Sequence, residues 1–117
     1  MRHKQKKDKL NMERDHRGLL LRNLATSIIL FEKVKTTRAR AKQVQPIVED
    51  LISTAKEKDT VAAIRKLNKI ILDKKAGKKL LEVLKERYKD QKGGYTRIVK
   101  LGHRAGDSAE MVQISLV

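Results

Sequence analysis

Residues 93–117 read GGYTRIVKLGHRAGDSAEMVQISLV, and this stretch limits the fold more than any other part of the chain. Val112, Ile114 and Leu116 alternate with Met111, Gln113 and Ser115. A period of two is the mark of a strand buried on one side. Upstream, Tyr95, Thr96, Ile98 and Val99 suit a pleated surface. Between the two segments, residues 102–109 hold two glycines, Asp107 and Ser108, which makes a loop. The expected unit is an antiparallel hairpin with a basic loop, and Gly93-Gly94 ends the helix before it. A lone hairpin is marginal in water, so the rest of the chain must cover one of its faces.

Four helical stretches are available. In residues 16–31, Leu20, Leu24 and Ile28 recur every fourth residue, with Leu21, Ala25 and Phe31 beside them. Residues 33–37, KVKTT, read as a short strand. Thr37 then stands where a hydroxyl can cap a helix starting at Arg38. That helix carries Ala41, Val44, Val48, Leu51 and Ala55 inward, and Pro46 predicts a kink over residues 42–45 or a break and restart. A third helix starts at Asp59 or Thr60 with Val61, Ile64, Leu67 and Ile71 inward, and residues 73–77 break it. A fourth spans residues 76–89 with Leu80, Leu81, Leu84 and Tyr88 inward. The expected fold is α+β: about four helices packed on a small three-stranded mixed sheet that ends in the C-terminal hairpin. Residues 16–117 form one domain. Residues 1–15 are basic and polar, with Leu10 and Met12 the apolar anchors, and read as an arm that orders on a partner.

Charge narrows the function. The formal net charge is +15, while 39% of residues are hydrophobic, so the chain folds yet repels itself until a polyanion neutralises it. Nucleic acid and anionic membrane are the usual polyanions. No helix pairs a purely basic polar face with large aromatics, as a membrane-surface helix would need. No apolar run reaches spanning length, and no signal peptide is evident. There are no cysteines, hence no disulfide or thiolate metal site.

Catalysis is poorly provided for. His3, His16 and His103 lie far apart with no metal-ligand spacing. A hydrolase using Ser108 would need a histidine downstream, and none follows. Asp107 is better read as a turn residue whose carboxylate accepts local N–H groups. Neither of the common glycine-rich nucleotide loops occurs, and no cofactor or small-molecule substrate is expected. Lys33, Lys35, Arg38, Arg40 and Lys42 crowd the strand-to-helix junction, where side chains and free helical N–H groups together suit phosphate. Arg97, Lys100, His103 and Arg104 continue the basic series into the hairpin, and Tyr95 offers a ring for stacking on a base. Aromatics make up 3% of residues, too few for a single-strand stacking platform, so recognition rests on shape and phosphate, as for folded RNA. A nucleoid-type DNA-binding protein is the alternative. It would bind duplex DNA as well as folded RNA.

The chain resembles the bacterial ribosomal large-subunit protein 17 family. The resemblance rests on Met1-Arg2-His3, Leu10-Asn11, His16-Arg17, Arg22-Asn23-Leu24, Lys35-Thr36-Thr37, Ala41-Lys42, Gly93-Gly94-Tyr95-Thr96-Arg97-Ile98, and Gly102 with Arg104, Gly106 and Asp107. These pieces follow the family's order across nearly the whole chain, and GGYTRI followed by G-x-R-x-G-D is the specific part. The resemblance implies a non-catalytic structural protein of the large ribosomal subunit, cytoplasmic with the ribosome. It further implies contact with large-subunit ribosomal RNA and with neighbouring proteins near the exit end of the peptide tunnel. Asp8, Glu13 and Asp15 depart from the basic, hydroxyl-rich tendency of that family region. The expected RNA-binding residues are Arg2, His3, Lys4, Lys6, Lys7, Arg14, His16, Arg17 and Arg22 from the arm and first helix. Lys33, Lys35, Thr36, Thr37, Arg38 and Lys42 follow at the junction, and Tyr95, Thr96, Arg97, Lys100 and Arg104 in the hairpin.

Overall fold

Thr37 ends a strand and Arg38 begins a helix with no residue between them, and the body is built around that corner. The computed structural model describes residues 9–57 and 60–117. Helix α1 spans Arg14–Phe31, strand β1 Lys33–Thr37, helix α2 Arg38–Glu57 and helix α3 Thr60–Asn68. The next helix, α4, is α-helical over Lys74–Lys79, π-helical over Leu80–Leu84 and α-helical again over Lys85–Arg87. Strands β2, Thr96–His103, and β3, Glu110–Leu116, form the hairpin.

The sheet order is β1–β3–β2, with both ladders antiparallel. The expected mixed sheet would need β1 beside β2, which runs in the same direction. Instead β3 lies between them and pairs with both. This follows from its clean alternation: Val112 and Ile114 are buried, while the residues between them face away. Gly102, at φ 105°, sits at the register shift between Lys100 and Gly102, a conformation glycine adopts without cost.

Helix α2 carries the core. Ala41, Val44, Val48, Leu51, Ile52 and Ala55 are at most 1% exposed, and they meet α1, the inner sheet face and α4. The helix runs through Pro46 without a break. Pro46 points to solvent, where water can take the bond that Lys42 C=O loses. In α3 the buried residues are Ala63 and Leu67, whereas Val61 and Ile64, expected inward, are 58% and 40% exposed. Four apolar residues in succession, 61–64, leave the inward face open to choice, and the small Ala63 permits the closer approach to α2. Asp73 caps α4, its carboxylate accepting from Lys75 N at 2.9 Å. Gly77 therefore lies inside this helix and breaks nothing.

Two tyrosines lock the hairpin to the helices. Tyr88 and Tyr95 are each 1% exposed and meet edge to face at 5.1 Å between ring centroids. Such a pair adds ~1 kcal/mol beyond the area it buries. Tyr88 Oη donates to Val117 O at 2.8 Å, so the end of the last helix also holds the residue after β3. Glu32 closes α1 in the left-handed region, at φ 65°. Three contacts hold it there. Its N–H donates to Ile28 O, its carbonyl accepts from Leu116 N, both at 2.8 Å, and its carboxylate pairs with Lys79 and Arg87.

Candidate nucleic-acid interface

Helices cover one face of the sheet and leave the other open. Residues directly opposite in an antiparallel ladder share a face. The register therefore lines up Lys33, Ser115 and Arg97 in one row of the open face, and Lys35, Gln113 and Val99 in the next. Thr37 and Met111 make a third. Lys33, Lys35 and Arg97 are exposed, and no residue in these rows is acidic. Strands lie ~4.8 Å apart, so Lys33 and Arg97 stand about 10 Å apart across β3. Long cationic side chains on both edges of a polar central strand make a shallow positive trough.

The trough continues into the corner. Thr37, Arg38, Ala39, Lys42, Ala109 and Glu110 line a shallow pocket where β1 passes into α2. Arg38 and Lys42 are exposed, and the first turn of α2 holds no acidic residue. Glu110 lies between two cations, 3.8 Å from Arg38 and 4.0 Å from Lys100. At these distances the pairs are loose and exposed, and exposed pairs contribute at most about 1 kcal/mol. Both cations stay available to a stronger anion.

Other expected contacts have structural work. Tyr95 is in the core: its hydroxyl donates to Gln91 O at 3.2 Å and accepts from Lys56 Nζ at 2.8 Å. A ring 1% exposed cannot stack on a base. Thr96 is 9% exposed, donating to Glu49 Oε1 at 2.7 Å and accepting from Gln45 Nε2 at 3.0 Å. Thr36 is 7% exposed opposite Val112. Arg22 reaches across to donate from Nε to Ile70 O at 3.2 Å, tying α1 to the turn after α3. Arg104 is gripped by Asp107 through two bonds of 2.9 and 2.6 Å. The same carboxylate accepts from Ala109 N at 3.2 Å, as its reading as a turn residue requires. The Arg104 guanidinium holds the Asp107 carboxyl well below the usual carboxylate range. This clasp stiffens the hairpin tip and leaves Arg104 with fewer free donors. Arg14 and His16 are exposed and Arg17 half-buried in the first turn of α1. Arg2, His3, Lys4, Lys6 and Lys7 lie outside the described residues.

Sequence reasoning does not single out Glu49, Gln45 or Lys56. Glu49 accepts from Tyr95 N at 3.3 Å and Thr96 N at 3.1 Å as well as from the Thr96 hydroxyl. It fixes the angle at which the hairpin leaves the body. In the sequence it is one more acid on a charged helix.

Among the described residues, the strand rows of the open sheet face carry cations and no acid, on a chain of net charge +15. Among the described residues no group of three metal-binding side chains occurs, and no helix is long and apolar enough to cross a membrane. The family described as Ribosomal protein L17 matches residues 20–117. The large ribosomal subunit protein bL17 of Rickettsia bellii is 48% identical over 117 residues, covering 100% of this chain and 82% of the relative. That of Desulforudis audaxviator is 47% identical over 109 residues, 93% of this chain and 96% of the relative. That of Rickettsia africae is 45% identical over 117 residues, with 85% of the relative covered. The chain belongs to the ribosomal protein L17 family. It is a structural ribosomal protein of the large subunit, and not an enzyme.

Proposed function

We propose that this chain binds large-subunit ribosomal RNA through the open sheet face and the β1–α2 corner, with residues 1–15 as a basic arm that follows the RNA. The observation that carries this is that, among the described residues, the strand rows bearing Lys33, Lys35 and Arg97 hold no carboxylate. Affinity comes from release of counterions from phosphate, and the rigid body sets the register. A-form RNA hides its base edges in a deep, narrow groove, so a trough of cations matched to backbone shape is the fitting reader. About five cations on phosphates imply a loss of ~10²–10³-fold in affinity over a fourfold rise in salt. The location follows the family resemblance: near the exit end of the peptide tunnel, beside neighbouring large-subunit proteins.

The test is sedimentation of a native lysate through a sucrose gradient at high salt. The chain is expected with the large subunit, near one copy per particle. Recovery at the top of the gradient would contradict the reading. Competition between duplex DNA and folded RNA for the free protein then separates a ribosomal from a nucleoid role. Removal of residues 1–15 is expected to weaken RNA binding while leaving the helical circular-dichroism signal in place.

A further inference from the structure

Away from the sheet, Ile64, Leu67, Ile71, Leu72, Gly77 and Leu81 line a groove of about 480 Å³ between α3 and α4. Ile64 is 40% and Leu72 is 50% exposed. Single exposed apolar residues are ordinary, but here they gather in one concavity. The groove shares no residue with the basic trough, and α3 packs on α2 and α4.

Gly77 is part of the groove's lining. A glycine inside a helix costs about 1 kcal/mol relative to alanine. Beyond its chain neighbours and its own helical backbone, a Cβ placed on Gly77 would meet nothing within 4 Å, as is also true of Gly18 in α1, so no packing against another element demands the residue. What it leaves is room for something outside to approach the α4 backbone. Next to it Leu81 lies within the π-helical segment, and such segments recur at functional sites.

The rim specifies charge. Lys74 and Lys78 stand exposed at its edge. The one carboxylate in the lining, on Asp73, is already engaged in capping α4. A phosphate backbone gains little by desolvating against Ile64 and Leu72, whereas an apolar side chain gains from both.

We propose that this groove docks an amphipathic helix of another protein, with aliphatic residues facing inward at helical spacing and acidic residues along its flanks. Helix-in-groove recognition uses such anchors at i, i+3/i+4 and i+7. The inference stands apart from the RNA-binding reading, because neither surface contributes to the other.

The experiment titrates the full chain into a fluorescein-labelled peptide of about 14 residues, a typical helix length. The peptide carries leucine at i, i+4, i+7 and i+11 with glutamate on the flanks, and anisotropy is read at physiological salt. A second peptide replaces the leucines with serine. Gly77→Leu fills the groove from within, and its thermal melt checks folding. Leu72→Ser removes an anchor without touching the core. Saturable binding of the leucine peptide is expected, weakened about tenfold or more by either substitution and by loss of the leucines. Prebound large-subunit ribosomal RNA is expected to leave the peptide in place. No saturable binding, equal binding of the serine peptide, indifference to a folded Gly77→Leu chain, or displacement by RNA would each overturn the proposal.

Discussion

Replacing Tyr95 by leucine separates a core residue from a base-stacking one. Leucine keeps much of the apolar volume and removes the ring and hydroxyl. The ring makes an edge-to-face contact with Tyr88, worth about 1 kcal/mol. Lys56 Nζ lies 4.9 Å from its centroid, a cation–π contact contributing about 0.5 kcal/mol or more. The hydroxyl bonds to Lys56 and Gln91 contribute ~1 kcal/mol each. Neighbouring terms couple, so the sum is an upper guide, and about 3 kcal/mol is expected. Against a domain stability of ~5–15 kcal/mol the variant stays folded at 25 °C, and its melting temperature falls by about 10 °C. Circular-dichroism melts measure that fall, and filter binding to large-subunit ribosomal RNA at 10 °C measures function on the folded chain. Affinity is expected within about twofold of the parent. Stacking on a base is worth ~1–3 kcal/mol. A melt unchanged by the substitution, with RNA affinity reduced more than about tenfold, would show that Tyr95 faces the ligand and that its placement in the core is wrong.

Glu49→Ala removes the acceptor for Tyr95 N, Thr96 N and the Thr96 hydroxyl, and is expected to cost about 2–3 kcal/mol in urea unfolding. Glu49→Gln, which keeps one acceptor oxygen, is expected to cost roughly half as much. Native-state hydrogen exchange is expected to show the Tyr95 and Thr96 amides losing protection first in both variants. At Glu32, the bonded Arg87 guanidinium lowers the carboxyl from its ordinary value of 4.5, against the opposing effect of burial. A lowered carboxyl stabilises fully above the unfolded value and loses that contribution as pH falls through the folded one. Urea midpoints are therefore expected to fall below pH 4.5, and Arg87→Gln to flatten that fall. Asp107→Asn frees Arg104 from its two-bond clasp and is expected to loosen the hairpin tip, read as faster amide exchange at Ser108 and Ala109, with the melt of the body unchanged.

Much of the fold is legible because its signals are local. The alternation of residues 111–117, the start of α2 at Arg38 and the inward set Leu80, Leu84 and Tyr88 all emerge from spacing alone. Strand order is not legible, because β1 and β2 carry similar β-prone residues and the choice of partner is made by how α1 and α2 deliver them. The inward face of α3 is hidden for a related reason: four neighbouring apolar residues satisfy more than one helical stripe.

Among the site residues, charge alone points to Lys33, Lys35 and Arg97, but that they share one face depends on register across β3. Tyr95 and Thr96 mislead because a tyrosine beside basic residues looks the same whether its ring packs inward or outward. Lys56 lies 39 residues from Tyr95 and Glu49 lies 47 residues from Thr96, beyond the reach of any local pattern.

The central claim is that the open sheet face carries phosphate. The most direct measurement is the salt dependence of binding to large-subunit ribosomal RNA for the parent and for a chain bearing Lys33→Ala, Lys35→Ala and Arg97→Ala together. Each cation withdrawn from a phosphate is expected to reduce the slope of log affinity against log salt by about 1, so the variant's slope is expected to be shallower by about 2–3, with an unchanged melt. An unchanged slope from a folded variant would contradict the account and move the RNA to another surface.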